Sequence, residues 1–310
     1  MRHVFIINPT AGKKDCTTHL MAMAKHMEAK HGVPVECILT TRAGHATETA
    51  RMIAQTGENV RFYVCGGDGT MNEVANGIAG IQTAAMTCIP VGTGNDFLKN
   101  FGDKAALFYD AENLWGGPQF ALDAIDCNGR LAMTIACSGF DAQVAEDVHT
   151  YGKSPMLGGS GSYIASLAVN FLIRGLDHRW TVTIDGKALS GSFALAAVCN
   201  GRHYGGGFTP IPQARMDDGV LNVILMDKIS RVAFLRFVGS YKNGEHEKFA
   251  RYVHLATAKE VIIESRGGEE IVTCLDGEIV KSSRVVIRLS DKKVNFFGPA
   301  GCDPNATCRA

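Results

Sequence analysis

The first hundred residues repeat one unit four times: a short apolar run, a loop of glycine and polar turn residues, then a segment with helical spacing. The runs at residues 3–7, 35–40, 61–65 and 86–90 each lead into such a loop. Few architectures accept this alternation. A parallel strand reaches its neighbour only through a crossover, usually a helix, so repeated βα units predict a parallel, doubly wound sheet. Ligands of such sheets gather at the carboxyl ends of the strands. The loops after Ile7, Thr40, Cys65 and Pro90 are therefore expected on one rim.

The third loop, Val64-Cys65-Gly66-Gly67-Asp68-Gly69-Thr70-Met71-Asn72-Glu73, is the most informative. Three glycines leave backbone amides uncovered ahead of a helix, predicted to start from an N-cap at Thr70 and run to about Ala79. Such a turn binds anions without a cationic side chain. By itself a Gly-Gly pair is equally consistent with a plain tight turn. Asp68 tips the reading, since a carboxylate among phosphate-seeking amides makes sense when a divalent metal stands between them. The first loop, Asn8-Pro9-Thr10-Ala11-Gly12-Lys13-Lys14, resembles a phosphate loop but lacks the Walker A spacing. After it, Asp15 is the expected N-cap of a helix over 16–30 with Leu20, Met23, Ala24 and Met27 inward and His19, His26 and His31 on the solvent side.

Beyond Ala121 the alternation stops and short β-rich runs take over, at 131–137, 180–184, 192–199, 221–226, 260–264, 270–275 and 285–289. They predict a second, mainly antiparallel domain. The expected divisions are 1–123, 124–290 and a tail, 291–310, that packs back on the first domain. Helices are expected at 162–174 and 231–241. In the first of these Tyr163, Ile164, Leu167, Phe171 and Leu172 share a face suited to core packing or to acyl chains, and the Gly/Ser-rich stretch 152–161 is a candidate lid. Asp185-Gly186 reads as a hairpin turn. Leu275-Asp276-Gly277-Glu278 reads either as another hairpin or as an extended stretch with its two carboxylates on one face.

Gly66-Gly67-Asp68-Gly69-Thr70 with Asn72-Glu73, joined by Pro90-Val91-Gly92-Thr93-Gly94-Asn95-Asp96-Phe97, resembles the signature of the diacylglycerol kinase catalytic domain. That superfamily includes sphingoid-base kinases and, more remotely, NAD kinases and phosphofructokinases. The resemblance implies a β-sandwich for the second domain. It implies a nucleotide pocket lined by Asn8, Pro9, Thr10, Ala11, Gly12 and Thr41, by Gly66, Gly67, Asp68, Gly69, Thr70, Asn72 and Glu73, and by Gly92, Thr93, Gly94 and Asn95. Asp68, Asp96 and Asp123 would handle Mg²⁺ through waters. In the segment from Pro212 to Leu221, Asp218 with the carbonyls of Arg215 and Val220 would hold a structural Mg²⁺. Glu278 is implied as general base and Asp276 as its partner, both extended toward a cleft between the domains; the two roles are interchangeable at this stage.

Phosphoryl transfer asks a protein mainly for positioning, charge stabilisation and one base, and these loops supply such groups. The expected activity is ATP- and Mg²⁺-dependent phosphorylation of a lipid hydroxyl, diacylglycerol to phosphatidic acid first, in phospholipid biosynthesis. A sphingoid base as acceptor, NAD kinase activity, and a nucleotide- or lipid-binding protein without turnover are the alternatives. Lys+Arg of 31 against Asp+Glu of 31 leaves no overall basic field for nucleic acid. No apolar run nears the ~18 residues of a membrane span, so a cytoplasmic protein visiting the membrane surface is expected, with a homodimer left open. Ten cysteines without a C-x-x-C pair read as reduced thiols, and neither Cys302 with Cys308 nor the sequon at Asn305 carries a functional expectation.

Overall fold

The computed structural model describes residues 1–151 and 176–305. The candidate lid at 152–161, the expected helix at 162–174 with its apolar face, and Cys308 lie outside the described residues. The chain forms two compact units, one of Met1–Ala124, Arg215–Asp218 and Ser290–Ala310, the other of Ile125–Ala214 and Gly219–Leu289.

In the first unit the order is β1 (Arg2–Ile7), α1 (Thr17–His31), β2 (Val35–Leu39), α2 (His45–Ala54), β3 (Val60–Gly66), α3 (Asp68–Ile78) and β4 (Ala84–Pro90). These four strands are parallel. Two later strands, β5 (Gln119–Leu122) and β17 (Val294–Phe297), complete a sheet of order β2-β1-β3-β4-β17-β5. Strand β17 runs parallel to β4 and antiparallel to β5. Val4 to Ile7 and Phe62 to Cys65 are wholly buried, as strands covered on both faces must be. Phe97, Phe101, Phe108 and Phe296 pack ring on ring beside them, with centroids 4.9 to 6.0 Å apart.

Two local expectations need correction here. Helix α3 begins at Asp68 with Gly67 as its N-cap, three residues before the predicted cap at Thr70, because Asp68 itself enters the first helical turn. His31 is not on the solvent side: its ring stacks on Trp115 at 3.9 Å and its Nε2 lies 3.1 Å from Glu112. Asp15 accepts a hydrogen bond from the Thr17 amide, but the N-cap of α1 is Cys16, one residue after the predicted cap, and Gly32 ends the helix in the left-handed conformation, φ 66°.

The second unit is antiparallel throughout its described strands. It comprises β6 (Ile125–Cys127), β7 (Arg130–Ala132), β8 (Ile135–Gly139), α4 (Phe140–Tyr151), β9 (His178–Ile184), β10 (Lys187–Cys199), β11 (Leu221–Asp227), α5 (Arg231–Lys242), β12 (Val253–Ala258), β13 (Glu260–Ser265), β14 (Ile271–Leu275), β15 (Glu278–Ser282) and β16 (Arg284–Leu289). The strands run in the order β15-β14-β8-β10-β9-β13-β16-β6-β7, with β11 and β12 branching from β10. Strand β10 makes the branch because its register shifts between Phe193 and Leu195. Its first half pairs with β9 and its second with β8 and β11. Alternate residues then enter two cores: Ala196 and Val198 face one with Trp180 and Val261, while Leu195, Ala197 and Cys199 face the other with Phe140 of α4 and Phe234 and Phe237 of α5. The single strand expected over 131–137 is broken, with Met133 and Thr134 outside both β7 and β8.

Candidate active site

Three loops at the carboxyl ends of β1, β3 and β4 meet backbone against backbone. A Cβ on Gly92 would lie 2.5 Å from the Gly67 Cα, and one on Gly12 only 2.1 Å from the Val91 carbonyl oxygen. No side chain fits at those contacts, so the glycines are required for approach as well as for turning. The Val91 and Gly92 amides donate to the Gly66 carbonyl, and the Asn8 amide donates to that of Cys65. Asn8 Nδ2 donates to Thr70 Oγ1 at 2.9 Å, and Asn8 Oδ1 accepts from the amide and hydroxyl of Thr10. Thr70 is thus a clasp between α3 and the first loop. Thr10, Gly12, Gly69 and Thr93 are exposed, Pro9 and Ala11 half-buried, and all six lie along the rim. Such uncovered glycine-rich backbone at a strand-to-helix turn suits a polyphosphate.

Asp68 and Asp96 share the mouth of this rim. Asp68 accepts the amides of Asp96 and Phe97, each at 3.1 Å, one on each carboxylate oxygen. Burial raises its pKa above the ordinary carboxylate value, these amides pull it back, and the Asp96 charge raises it further. Both carboxylates border Gly94, where a Cβ would sit 3.2 Å from Asp68 Oδ2 and 3.8 Å from Asp96 Oδ2. Lys99 pairs with Asp96. Asp123 is not gathered with them: it is buried, its amide donates to the Met216 carbonyl, and its carboxylate meets Lys293 Nζ at 2.9 Å. Among the described residues no three His, Cys, Asp or Glu side chains stand close enough to hold a metal. The expected trio therefore does not form one cluster. Asp68 and Asp96 fit a hydrated Mg²⁺, which takes one or two carboxylates with substrate phosphates and keeps several waters.

Other expected nucleotide contacts are committed elsewhere. Glu73 accepts the Gly44 and Ala46 amides at 2.9 and 3.1 Å, capping α2, whose N-cap Gly44 has no side chain to do so. Asn72 is buried and accepts from Asn76 Nδ2. Thr41 is exposed, its amide donating to His45 Nδ1. Asn95 adopts φ 48° and donates to the Gly92 carbonyl. Asp218 is exposed in an irregular loop where Arg215 pairs with Asp217 and Gly219 has φ 74°.

In the second unit Asp276-Gly277 forms the two-residue turn of the β14–β15 hairpin. Leu275 is registered opposite Glu278, and φ is 47° at Asp276 and 97° at Gly277. The extended reading, with Asp276 and Glu278 side by side on one face, is wrong. Asp276 turns instead onto the break between β7 and β8, accepting the amides of Met133, Thr134 (3.0 Å) and Ile135 (2.9 Å). Asn200, itself buried, donates to the Met133 carbonyl. Glu278, half-exposed at the first position of β15, pairs with Arg130 of β7. A partly buried cluster that the sequence does not announce lies where Tyr204 and Tyr241 both donate to Asp141 Oδ2, at 2.6 and 3.2 Å. Burial raises the Asp141 pKa. The three residues come from three separate stretches of chain, and no local pattern announces them.

The family profile described as diacylglycerol kinase catalytic domain matches residues 2–125, and that described as YegS C-terminal NAD kinase beta sandwich-like domain matches residues 134–297. A Bacillus subtilis protein named diacylglycerol kinase is 28% identical over 88% of each chain. The Pseudomonas aeruginosa PAO1 protein named "Probable lipid kinase YegS-like" is 30% identical over 76% of each. In fold, the chain is similar to a crystal structure of a diacylglycerol kinase from Bacillus anthracis (TM-score 0.69, 21% identity, 96% of both chains). It is more remotely similar to yeast NADH kinase (TM-score 0.51, 9% identity, 96% of this chain and 83% of that one). With profile matches in both units and relatives that align over most of its length, the chain belongs to the diacylglycerol kinase and YegS-like family of lipid kinases.

Proposed function

We propose that the protein transfers the γ-phosphoryl group of ATP, with Mg²⁺, to the hydroxyl of a diacylglycerol, forming phosphatidic acid. The observation that carries this reading is the rim of the first unit, where Gly12, Gly67 and Gly92 press three loops together and two carboxylates border Gly94. The bare amides of these loops would cradle the triphosphate. Asp68 and Asp96 would hold Mg²⁺ through its waters, and the cation when bound would neutralise charge on the phosphates.

Glu278 is the proposed general base for the acceptor hydroxyl, with Asp276 fixing the turn from which it projects. Arg130 pairs with the Glu278 carboxylate and so orients it. An ordinary carboxylate suffices, because a loose transition state releases the acceptor proton late. The hairpin geometry supports an unequal division of labour: Asp276 spends its carboxylate on three amides, while Glu278 keeps a half-exposed one.

The test is incubation of purified protein with labelled ATP, Mg²⁺ and mixed micelles of diacylglycerol, sphingoid base and monoacylglycerol, with NAD in a parallel tube. Labelled phosphatidic acid is expected. Phosphorylation of the sphingoid base alone would change the substrate, formation of NADP would overturn the lipid reading, and no product with retained ATP binding would favour a protein without turnover.

A further inference from the structure

Helix α5 buries Phe234, Phe237 and Tyr241, at spacings of three and four, and so turns its opposite face outward. On that face Val232 and Leu235 stand one turn apart, each 62% exposed. At 100° per residue Gly239 extends their strip, Arg231 and Lys242 border it on one side, and Arg236 borders it on the other. No acidic residue occurs on the helix. Among the described residues Asp177 pairs with Lys228, Glu245 pairs with Lys248, and the His254 ring hydrogen-bonds Asp227. None of Arg231, Arg236 and Lys242 makes a salt bridge among the described residues. An apolar strip flanked by unneutralised cations is the arrangement of helices that lie in the headgroup region of a bilayer.

We infer that this face of α5 seats the protein on an anionic lipid bilayer, Val232 and Leu235 entering the acyl boundary while Arg231, Arg236 and Lys242 contact headgroup phosphates. A second copy of the chain is a poor occupant. Two-fold pairing of the face would set the three cations against their own copies. The inference rests on the lipid kinase reading, since such an enzyme must reach a substrate held in a membrane, and it names the surface used. Among the described residues no helix is long and apolar enough to cross one.

The experiment is sedimentation of the full chain with phosphatidylcholine vesicles, with and without phosphatidylglycerol, in the absence of ATP. Each cation near an anionic surface is worth about a fivefold gain in partitioning, so the triple variant R231Q/R236Q/K242Q should lose roughly a hundredfold on phosphatidylglycerol vesicles. The double variant V232Q/L235Q should lose at least about tenfold on the same vesicles. Turnover of a short-chain diacylglycerol dissolved below micelle formation should stay at the wild-type level in both. Vesicle binding unchanged in either variant would overturn the inference, as would a lower oligomeric mass of V232Q/L235Q by light scattering. Loss of binding as expected, in a protein that phosphorylates no lipid, would support this surface and refute the proposed activity instead.

Discussion

Replacing Asp276 separates scaffold from chemistry. The Asp276 carboxylate satisfies the amides of Met133, Thr134 and Ile135, all three residues buried. Asp276→Ala leaves these donors without an acceptor, at about 1 to 3 kcal/mol each where water cannot enter. It also places alanine at φ 47°, which costs about 1 kcal/mol more. Water reaching the half-exposed turn recovers part of this, so a loss of about 5 kcal/mol is expected. For a domain of this size that lowers the melting temperature by roughly 10 to 20 °C. Asp276→Asn is the control. Asparagine tolerates the left-handed conformation, and its one oxygen can keep the two bonds that Oδ1 accepts from Thr134 and Ile135. Of these three amide bonds the one from Met133 is lost, so a drop of about 2 to 8 °C is expected. Scanning calorimetry of both variants beside Glu278→Gln makes the comparison, because Glu278 gives up only a partly exposed ion pair of about 0 to 1 kcal/mol. An Asp276→Ala protein that melts within about 3 °C of wild type yet has lost turnover would refute the reasoning and return Asp276 to the chemistry.

Four further outcomes are expected. Glu278→Ala should lower kcat by roughly 10² to 10⁴ with an unchanged circular dichroism spectrum, and near-normal turnover would remove Glu278 as the base. Asp68→Ala should abolish transfer; because burial raises the Asp68 pKa, wild-type kcat should begin to fall on acidification at a pH above that of an ordinary carboxylate. Gly92→Ala should cost about 1 to 3 kcal/mol and weaken ATP binding more than acceptor binding, measured by calorimetric titration, since the new Cβ meets the Gly67 backbone at 2.5 Å. His3, buried against Tyr63 and Trp115, has its pKa pushed down to about 4, mainly by desolvation. The folded state then resists a proton that the unfolded chain accepts below about 6.5, so stability is fully present above that pH and declines toward about 4, by roughly 3 kcal/mol. Urea midpoints of wild type and His3→Gln across that window should converge at the acid end, and parallel curves would contradict this.

What the sequence disclosed was local. Apolar runs, glycine loops and helical spacing identified the four parallel strands and the three α-helices that follow the first three, although the fourth strand leads into a 3-10 helix over Phe97–Tyr109 instead, and the turn residues at Asp185-Gly186 gave a hairpin whose φ values are 43° and 82°. Contacts between distant segments left no such mark. Glu73 caps a helix 27 to 29 residues earlier, and nothing about a glutamate in an Asn-Glu dipeptide says which backbone it will reach. Strand β17 enters the first sheet beside β4 although more than 200 residues separate them. The break at Met133 and Thr134 is likewise set from afar, by Asp276 and Asn200, so β-rich residues on both sides read as one strand. His31 misled for a related reason: its polar ring suggested solvent, but Trp115 supplied an aromatic surface to stack on.

The two hairpin Asp-Gly turns of the second unit bear on the division of work proposed for Asp276-Gly277-Glu278. Asp185, at φ 43°, accepts the Glu260 amide at 2.9 Å and the Lys259 amide at 3.0 Å, at the start of the neighbouring β13. Asp276, at φ 47°, accepts three amides at the start of β8. The same device thus appears twice: a left-handed aspartate closes a tight turn and uses its carboxylate to hold the first residues of an adjacent strand. Since Asp185 belongs to no predicted site, amide capture by such an aspartate needs no catalytic explanation. The difference lies in the residue after the glycine. Lys187 follows the first turn, whereas Glu278 follows the second and pairs with Arg130. This contrast supports the proposal that chemistry at the second turn belongs to Glu278, with Asp276 setting its reach by fixing the turn against β8. An exchange of roles would ask the Asp276 carboxylate, already accepting three amides of buried backbone, to take up the acceptor proton as well, weakening those bonds at a cost that Glu278 does not incur.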